Sequence, residues 1–199
     1  MLKFIYPCLP NTLSPESKYF DELDRDTRWI GEVKKNGWRC EVIKDDDTVA
    51  LWNRHGRLML DPLEGIRDIM RGLPNKTMLD GEVKFSRRIK GQVEGYYLFD
   101  ILYWDGTVIH TQKLFRRRPL VEIIYKDYFA GSDIVELARQ VEVGKKTLYY
   151  ESIDGELNEG IVLKKLDAIY PISYETNKTC TEWLKVKKVE KHVKIESGK

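Results

Sequence analysis

Two adjacent lysines, Lys34 and Lys35, stand just before an Asn-Gly pair in the segment EVKKNGWR, residues 32–39. An amine beside a carboxylate can form an ion pair, exchange a proton or attack an electrophile, although most lysines are solvated surface charges. If residues 29–35 form a strand, side chains alternate between its faces, so Glu32 and Lys34 share one face and Lys35 lies on the other. The segment alone leaves open whether Lys34 belongs to a site or only to a charged hairpin.

Three further segments place charged side chains on one face of a predicted strand. LDGEVKF (79–85) alternates two carboxylates and a lysine, EGIVLKK (159–165) opens with a glutamate and ends in two lysines, and WLKVKK (183–188) alternates tryptophan and lysine with apolar residues. One such strand is ordinary, because an exposed face often carries lysines. Four of them indicate a shared charged site.

The elements that must position these residues are mostly strands. WIGEVKK and WRCEVIK flank Asn36-Gly37, and TVALWNR follows an acidic turn, which predicts an antiparallel meander with Gly37 free to adopt a positive φ. Aromatic and β-branched residues predict two more strands, TMLDGEVKF and EGYYLFDILYWDG. Helices are predicted after Ser14-Pro15, in DPLEGIRDIMRGL, in QKLFRRRPLVEII with an interruption at Pro119, and in GKKTLYYESI. Strands interspersed irregularly with helices predict an α+β fold with mostly antiparallel sheets.

Composition limits the class of protein. The chain has 199 residues, 42% apolar and 33% charged, which is typical of a globular domain. Its net charge of +2 means that a polyanion could be bound only by locally clustered cations. The three cysteines, Cys8, Cys40 and Cys180, cannot all pair, which favours a reducing compartment. With no apolar run of signal-peptide or membrane-spanning length, the sequence predicts a cytoplasmic protein, and leaves a bacterial or viral source open.

Together the charged segments resemble blocks of the covalent nucleotidyltransferases: ATP-dependent DNA ligases, RNA ligases and mRNA capping enzymes. KKNGWR matches their Lys-x-Asp/Asn-Gly-x-Arg signature, and NRHG, LDGE, YYLFDIL, EGIVLK and WLKVK are similar to the later blocks, in the same order, over roughly residues 29–188. The resemblance implies an α+β, ATP-grasp-like nucleotidyltransferase fold, with mostly antiparallel sheets flanked by helices. This adenylation domain would occupy residues 1–189, and residues 190–199 would be a basic tail where an OB-fold domain normally begins.

The resemblance also implies roles for the matched residues. Lys34 would be the nucleophile that attacks the α-phosphorus of ATP and forms lysyl-AMP, while Glu159 and Glu82 would hold Mg²⁺ or Mn²⁺. Phe99 would stack on adenine. The full set carried over as binding ATP is Glu32, Arg39, Arg54, Glu82, Phe99, Lys164, Lys185 and Lys187. Lys35 receives no role and is predicted to be solvated or phosphate-facing, and the run 116–118 is predicted to be a solvated helix face or, near the site, a contact to backbone phosphates.

The function implied is that of an ATP-dependent DNA ligase catalytic domain, which transfers AMP to a DNA 5′-phosphate and seals nicks, weakly without an OB domain. Repair, replication and recombination are the processes that use such an activity. The expected partner is nicked double-stranded DNA, with a separate OB-fold or clamp protein as a further option, no membrane, and a monomeric state. Asn36 replaces the aspartate most common in DNA ligases and removes a negative charge beside Lys34. The alternatives are an RNA ligase, a capping-type guanylyltransferase, and a non-catalytic module that binds nucleotide or nucleic acid.

Overall fold

Two β-sheets organise the chain in the computed structural model, which describes residues 2–60, 62–86, 88–154 and 158–188. Thirteen strands are present in the described part: β1 Tyr6–Pro7, β2 Leu9–Thr12, β3 Trp29–Lys35, β4 Gly37–Asp45, β5 Thr48–Asn53, β6 Thr77–Phe85, β7 Val93–Trp104, β8 Thr107–Val108, β9 Val135–Leu137, β10 Gln140–Val141, β11 Asn158–Lys165, β12 Ile172–Ser173 and β13 Thr179–Lys187. The helices are α1 Lys18–Arg25, α2 Glu64–Met70, α3 Leu114–Ile124 and α4 Lys145–Asp154, and a π-helical turn, Tyr125–Phe129, continues α3.

The sheets are mostly antiparallel, which confirms the predicted α+β class. One sheet has the strand order β10-β3-β11-β13-β2, and the other has the order β5-β4-β6-β7-β8 with β9 added to β7. Only the β13–β2 and β7–β9 pairs are parallel among the described residues. Strands β1 and β12 form a separate two-stranded pair.

The predicted meander through Asn36-Gly37 is wrong at its first turn. Strands β3 and β4 belong to different sheets, so Asn36 is a crossing point between them and not the tip of a hairpin. Gly37 does not have a positive φ. It pairs with Lys84, and a Cβ at Gly37 would lie 2.2 Å from the Val83 carbonyl oxygen. Glycine is therefore needed for the close approach of β6, while β4 and β5 form the predicted antiparallel hairpin.

Three apolar clusters hold the layers together. Val42, Leu79 and other residues of the second sheet pack with Ile66 of α2 and Val121 of α3. The first sheet packs on α1 and α4 through a set that includes Phe20, Leu148 and Ile161. Between the sheets lie Ile43, Met78, Leu102, Tyr170 and Trp183. Because these side chains are buried between the two sheets, they hold the sheets face to face.

Helices α1 and α3 each differ from prediction in one respect. Helix α1 begins at Lys18, and the Ser17 Oγ caps it by accepting a hydrogen bond from the Tyr19 N–H at 3.2 Å, so the helix starts after the predicted Ser14-Pro15 position. Pro119 lies inside α3 and does not interrupt it. Burial of residues on both sides of Pro119 offsets the lost backbone hydrogen bond. No described helix is long and apolar enough to cross a lipid bilayer.

The arginine run of α3 is not a solvated face, contrary to prediction. Arg117 is fully buried and forms two hydrogen bonds with the equally buried Asp100 of β7, Nε to Oδ1 at 2.7 Å and Nη2 to Oδ2 at 2.8 Å. Arg118 is also buried and pairs with Glu122 at 2.7 Å. Only Arg116 of this run is exposed, so two of the three cations are structural.

Candidate active site

A cavity of about 520 Å³ lies where β3 crosses into β4. Strands β3, β11 and β13 of the first sheet and β4, β6 and β7 of the second all contribute side chains to it. Ten of its lining residues are those selected from the sequence: Glu32, Lys34, Arg39, Arg54, Glu82, Phe99, Glu159, Lys164, Lys185 and Lys187. The structure therefore brings the whole predicted set together, although the residues are up to 155 positions apart in the chain.

Lys34 and Lys187 share one carboxylate oxygen at the cavity wall. The Lys34 Nζ lies 2.7 Å from the Glu159 Oε2, and the Lys187 Nζ lies 2.9 Å from the same atom. Burial alone would raise the pKa of Glu159, but hydrogen bonds from the two lysines outweigh it and hold that pKa below its usual value. In the free protein, Glu159 is therefore an ionised carboxylate shared by two ammonium groups.

Strand register explains why these three side chains meet. Gly160, next to Glu159, pairs with Lys34 on β3 and with Lys187 on β13. Gly160 has a φ of +129°, and a Cβ there would lie 2.0 Å from the Val186 carbonyl oxygen. Only glycine fits this close approach, so the EG pair of EGIVLK places the carboxylate between the two lysines.

The most enclosed wall of the cavity holds a second ion pair. The Lys164 Nζ lies 2.7 Å from the Glu32 Oε2, and both side chains are almost completely buried. Gln140 Nε2 donates to the other Glu32 oxygen at 2.6 Å. The Lys164 Nζ is also 4.4 Å from the ring centroids of both Phe99 and Trp183, a distance at which a lysine makes cation–π contacts.

Trp183 was not among the selected site residues, although it lines the cavity. Sequence alternation had already placed it on the same strand face as Lys185 and Lys187, and this face was the available signal. Gln140 lies on the short strand β10, which the sequence did not predict, so its contact to Glu32 could be found only from the structure.

Arg39 is fixed in the cavity wall by Asp80. Its Nε and Nη2 donate to the two Asp80 oxygens at 3.2 and 2.7 Å, and Nη1 donates to the Cys8 carbonyl at 2.9 Å. The Tyr170 hydroxyl donates to the same Asp80 carboxylate at 2.6 Å. Asp80 is fully buried and does not line the cavity, so it orients Arg39 and is not available there as a metal ligand.

Positive charge dominates the cavity. Among the described residues, seven lysines and arginines line it with three carboxylates, a formal excess of four positive charges. The pKa of Lys185 is lowered by partial burial first and then by the neighbouring cations Lys187, Lys34 and Arg54. Such a site suits a polyanionic ligand, because phosphate groups relieve the repulsion among these cations.

Comparison with known families adds an independent observation. Residues 84–187, just over half of the chain, match the family model described as "ATP dependent DNA ligase domain". This chain belongs to that family. The matched segment contains five of the ten selected cavity residues, whereas Lys34 and its strand precede it.

Individual relatives are also DNA ligases by name. The ligase domain is 27% identical over 177 residues to the SPbeta prophage-derived DNA ligase-like protein LigB of Bacillus subtilis, an alignment of 81% of this chain and 62% of that protein. It is 28% identical over 187 residues to the DNA ligase of Thermococcus fumicolans, covering 78% of this chain and 32% of that ligase. The chain thus spans less than two thirds of the length of these relatives.

A solved structure confirms the fold. The structure of mycobacterial DNA ligase D complexed with ATP and MES superposes with a TM-score of 0.70 at 22% identity, over 92% of this chain and 60% of that one. At this identity the likeness concerns the fold alone. The nucleotidyltransferase fold implied by the sequence blocks is therefore confirmed.

Lys35 of the ligase domain is not solvated, so that alternative of the prediction is wrong, while the phosphate-facing alternative stays a prediction. Its side chain is only 19% exposed, and its Nζ lies 3.2 Å from a Glu136 oxygen and 5.2 Å from the Tyr97 ring centroid. Glu136 also binds Lys84 at 2.7 Å. Lys34 and Lys35 therefore face different carboxylates, as expected from the alternation of side chains along a strand.

The donor set of the ligase domain fits a magnesium ion that is also held by phosphates. The described residues contain no cluster of three or more His, Cys, Asp or Glu side chains arranged to hold a metal. Magnesium commonly takes one or two carboxylates and completes its shell with water and substrate phosphates. Glu159 and Glu82 both line the cavity, so they meet that requirement, although Glu159 is engaged by two lysines in the free protein.

Glu82 is predicted to make stability depend on pH. Burial raises its pKa to about 7 from a model-compound value of 4.5, against the opposing pull of Lys34 and Arg39. The folded protein therefore binds this proton more tightly than the unfolded chain, and the resulting stability is lost as the pH rises from about 4.5 to about 7. We expect Glu82→Gln to remove this loss, which amounts to about 3 kcal/mol in the free energy of unfolding.

Urea denaturation at pH 5, 6, 7 and 8 without divalent metal measures the effect. The exposed Glu151 provides the matched control, because Glu151→Gln should leave the wild-type pH dependence unchanged. Parallel pH profiles for the wild type and Glu82→Gln would show that Glu82 ionises normally.

Proposed function

We propose that this chain is the catalytic domain of an ATP-dependent DNA ligase and that Lys34 carries AMP as a covalent adduct. The observation that supports this most directly is the Lys34–Glu159–Lys187 arrangement inside a cavity with an excess of four positive charges. This arrangement holds the Lys34 amine in a cavity whose positive charge would attract a nucleoside triphosphate. Family membership supports the same activity.

In the proposed first step, the neutral Lys34 amine attacks the α-phosphorus of ATP. A phosphorus–nitrogen bond forms, the bond from the α-phosphorus to the bridging oxygen breaks, and its electron pair leaves with pyrophosphate. The amine proton is released to water. Lys185 and Lys187, on the same face of β13, would stabilise the charge that develops on the α-phosphate oxygens.

Glu159 and Glu82 would hold the divalent metal. When bound, such an ion neutralises phosphate charge and helps to orient the groups that react. The Glu159 Oε2 is shared by two ammonium groups in the free protein, so we propose that the Lys34–Glu159 ion pair opens when nucleotide and metal enter. Its opening would free the Lys34 amine for attack.

The remaining cavity residues would bind the nucleoside. Phe99 offers an aromatic ring for stacking on adenine, and Glu32 offers a carboxylate that accepts hydrogen bonds. An acceptor at this position favours the amino group of adenine over the carbonyl oxygen of guanine, which supports ATP as the donor. Arg54, in the turn after β5, would contact a phosphate of the nucleotide or of the nick.

The later steps would use nucleic acid. The adenylate would pass from Lys34 to a DNA 5′-phosphate, and the adjacent 3′-hydroxyl would then displace AMP and close the strand. Nicked duplex DNA as the substrate, a monomeric state and a cytoplasmic location remain predictions. The predicted tail, residues 190–199, lies outside the described residues.

Labelling with α-³²P-nucleotides tests the proposal. The protein is incubated with Mg²⁺ and either ATP or GTP, then denatured and separated by electrophoresis. We expect an acid-labile labelled band with ATP and little or none with GTP. Labelling by GTP alone would favour a capping-type activity. Absence of any adduct would indicate a non-catalytic binding module, and adenylate transfer to RNA but not to DNA ends would indicate an RNA ligase.

A further inference from the structure

An aromatic pair formed by the exposed Trp38 and the partly buried Phe85 lies beside the cavity. Trp38 follows the crossing point at Asn36 and precedes Arg39 on β4. Its side chain is 62% exposed, far more than any of the other four tryptophans, and its ring packs against Phe85 with a centroid distance of 4.6 Å. An exposed indole is costly in water unless a ligand covers it, so this pair is a candidate contact surface.

A basic turn continues directly from Phe85. The segment SRRIKGQ, residues 86–92, contains three cations and no acid. Within its described part, Arg88, Ile89 and Lys90 are exposed, and neither cation forms an ion pair with a described residue. These side chains are available for a ligand.

Hydrogen bonds fix the described residues of this segment. The Ser86 Oγ accepts from the Arg88 N–H at 3.2 Å, and the Ser86 N–H donates to the Gln92 carbonyl at 2.8 Å. The Gln92 N–H also donates to the Ile89 carbonyl at 3.1 Å. Hydrogen bonds on both sides of Lys90 and at the N–H of Arg88 lower the conformational entropy that these two residues lose on binding.

This rim patch, defined as Trp38, Phe85, Arg88, Ile89 and Lys90, adjoins the cavity through Trp38. Trp38 and Gly37 are among the cavity-lining residues, and Arg39 and Glu82, paired across β4 and β6, face inward. A polynucleotide that delivers a 5′-phosphate to Lys34 must pass over a rim of the cavity. Aromatic rings with interspersed cations are the combination that holds nucleic acid through stacking and phosphate contacts.

We propose that the rim patch binds DNA at the strand break, with Trp38 stacked between the base pairs that flank the break and Arg88 and Lys90 on the neighbouring backbone phosphates. This inference rests on the proposed ligase function and adds the surface that would recognise the broken strand. The bases that flank a nick are paired and stacked, but one phosphodiester bond is missing there, so separating them for the indole costs less than in an intact duplex. The phosphate contacts are equally available on both duplexes. The aromatic residue therefore supplies selectivity for a break, and the cations supply general affinity.

Binding measured without ATP or metal tests the stacking contact. A fluorescein-labelled duplex with one 5′-phosphorylated nick is compared with the same duplex intact, by anisotropy. We expect Trp38→Ala to weaken binding to the nicked duplex about tenfold and to change binding to the intact duplex less than twofold, so the preference for the nick is lost. Trp38→Phe, which keeps an aromatic ring, should retain the preference. Equal preference in the wild type and Trp38→Ala would overturn the assignment.

Salt dependence tests the basic turn. In the double variant Arg88→Ala/Lys90→Ala, the slope of log K against log salt should decrease by about 2 in magnitude for both duplexes. Tyr174→Ala and Lys178→Ala are matched controls, because both residues are exposed and neither lines the cavity. An unchanged slope would remove Arg88 and Lys90 from the interface.

The outcome is separable from that of the proposed function. The binding measurements need no lysyl-AMP, so a chain that forms no adduct but shows the Trp38-dependent preference would refute ligase chemistry and keep the rim patch. A chain that forms the adduct but shows no effect at Trp38, Arg88 or Lys90 would keep the chemistry and refute the patch.

Discussion

Lys34→Ala is expected to reduce lysyl-AMP formation to below about one thousandth of the wild-type amount, because the substitution removes the atom that bonds to phosphorus. Among the described lysines, Lys187 shares the Glu159 Oε2 with Lys34, but it lies on a different strand and its Nζ is held 2.9 Å from that oxygen. Measurement of the ³²P-AMP adduct after incubation with α-³²P-ATP and Mg²⁺ gives the result directly.

Lys35→Ala is the matched control for Lys34→Ala. Both substitutions remove one lysine charge from adjacent positions of the same strand, and both residues line the cavity. Lys35 binds Glu136 and not Glu159, so its loss should reduce labelling by no more than about tenfold through weaker attraction of the nucleotide. A labelled band that survives Lys34→Ala, or one that disappears in Lys35→Ala alone, would show that the nucleophile has been assigned wrongly.

The position of Lys34 could be predicted from the sequence because alternation along a strand is a local property. Residues 32 and 34 share a face whichever sheet the strand joins, and the same reasoning placed Lys185 with Lys187. The sheet that each strand joins is not local. Asn-Gly is a strong hairpin signal, yet β3 pairs with β11 and β10 while β4 pairs with β6. Tertiary packing of two separate sheets overrides the turn preference.

Gly37 shows how the same residue type serves a different physical need. The turn interpretation required a positive φ, whereas the structure requires the absence of a Cβ beside the Val83 carbonyl. Both needs select glycine, so the sequence cannot distinguish them. The distinction has a functional consequence, because the close approach of β4 to β6 pairs Arg39 with Glu82 at the cavity.

The burial of two arginines in α3 could not be predicted from the local sequence. Three adjacent cations on a helix usually face water, and the pattern carries no information about a partner 17 positions earlier in the chain. One signal was present: Asp100 lies within the apolar strand segment LFDIL, and a carboxylate buried there needs a cation. The Asp100 carboxylate therefore predicts a buried cation as its partner. The sequence does not indicate which arginine of the run this is, because that depends on how α3 packs against β7.

Asp100→Ala is accordingly expected to destabilise the fold by about 3–5 kcal/mol, because it leaves the Arg117 guanidinium buried without its partner. Arg117 has no exposed surface, and its other acceptors are the carbonyl oxygens of Gln112 and Ala168 at 2.7 and 3.3 Å, which do not neutralise its charge. A loss of this size is a large fraction of the stability of an ordinary domain and should lower the Tm by about 10 °C. Urea and thermal unfolding followed by circular dichroism measure it.

A double-variant cycle separates the energy of the Asp100–Arg117 ion pair from the energy of side-chain packing. Asp100→Leu with Arg117→Met replaces both charges by apolar groups, so it should cost less than either single substitution, since no buried charge remains unpaired. The exposed pair Arg71–Asp68, with both side chains 56% exposed, is the surface control: Arg71→Ala should cost less than about 1 kcal/mol. If Asp100→Ala costs no more than Arg71→Ala, then Arg117 must reach water in solution, and the arginine run would be the solvated helix face that its sequence suggests.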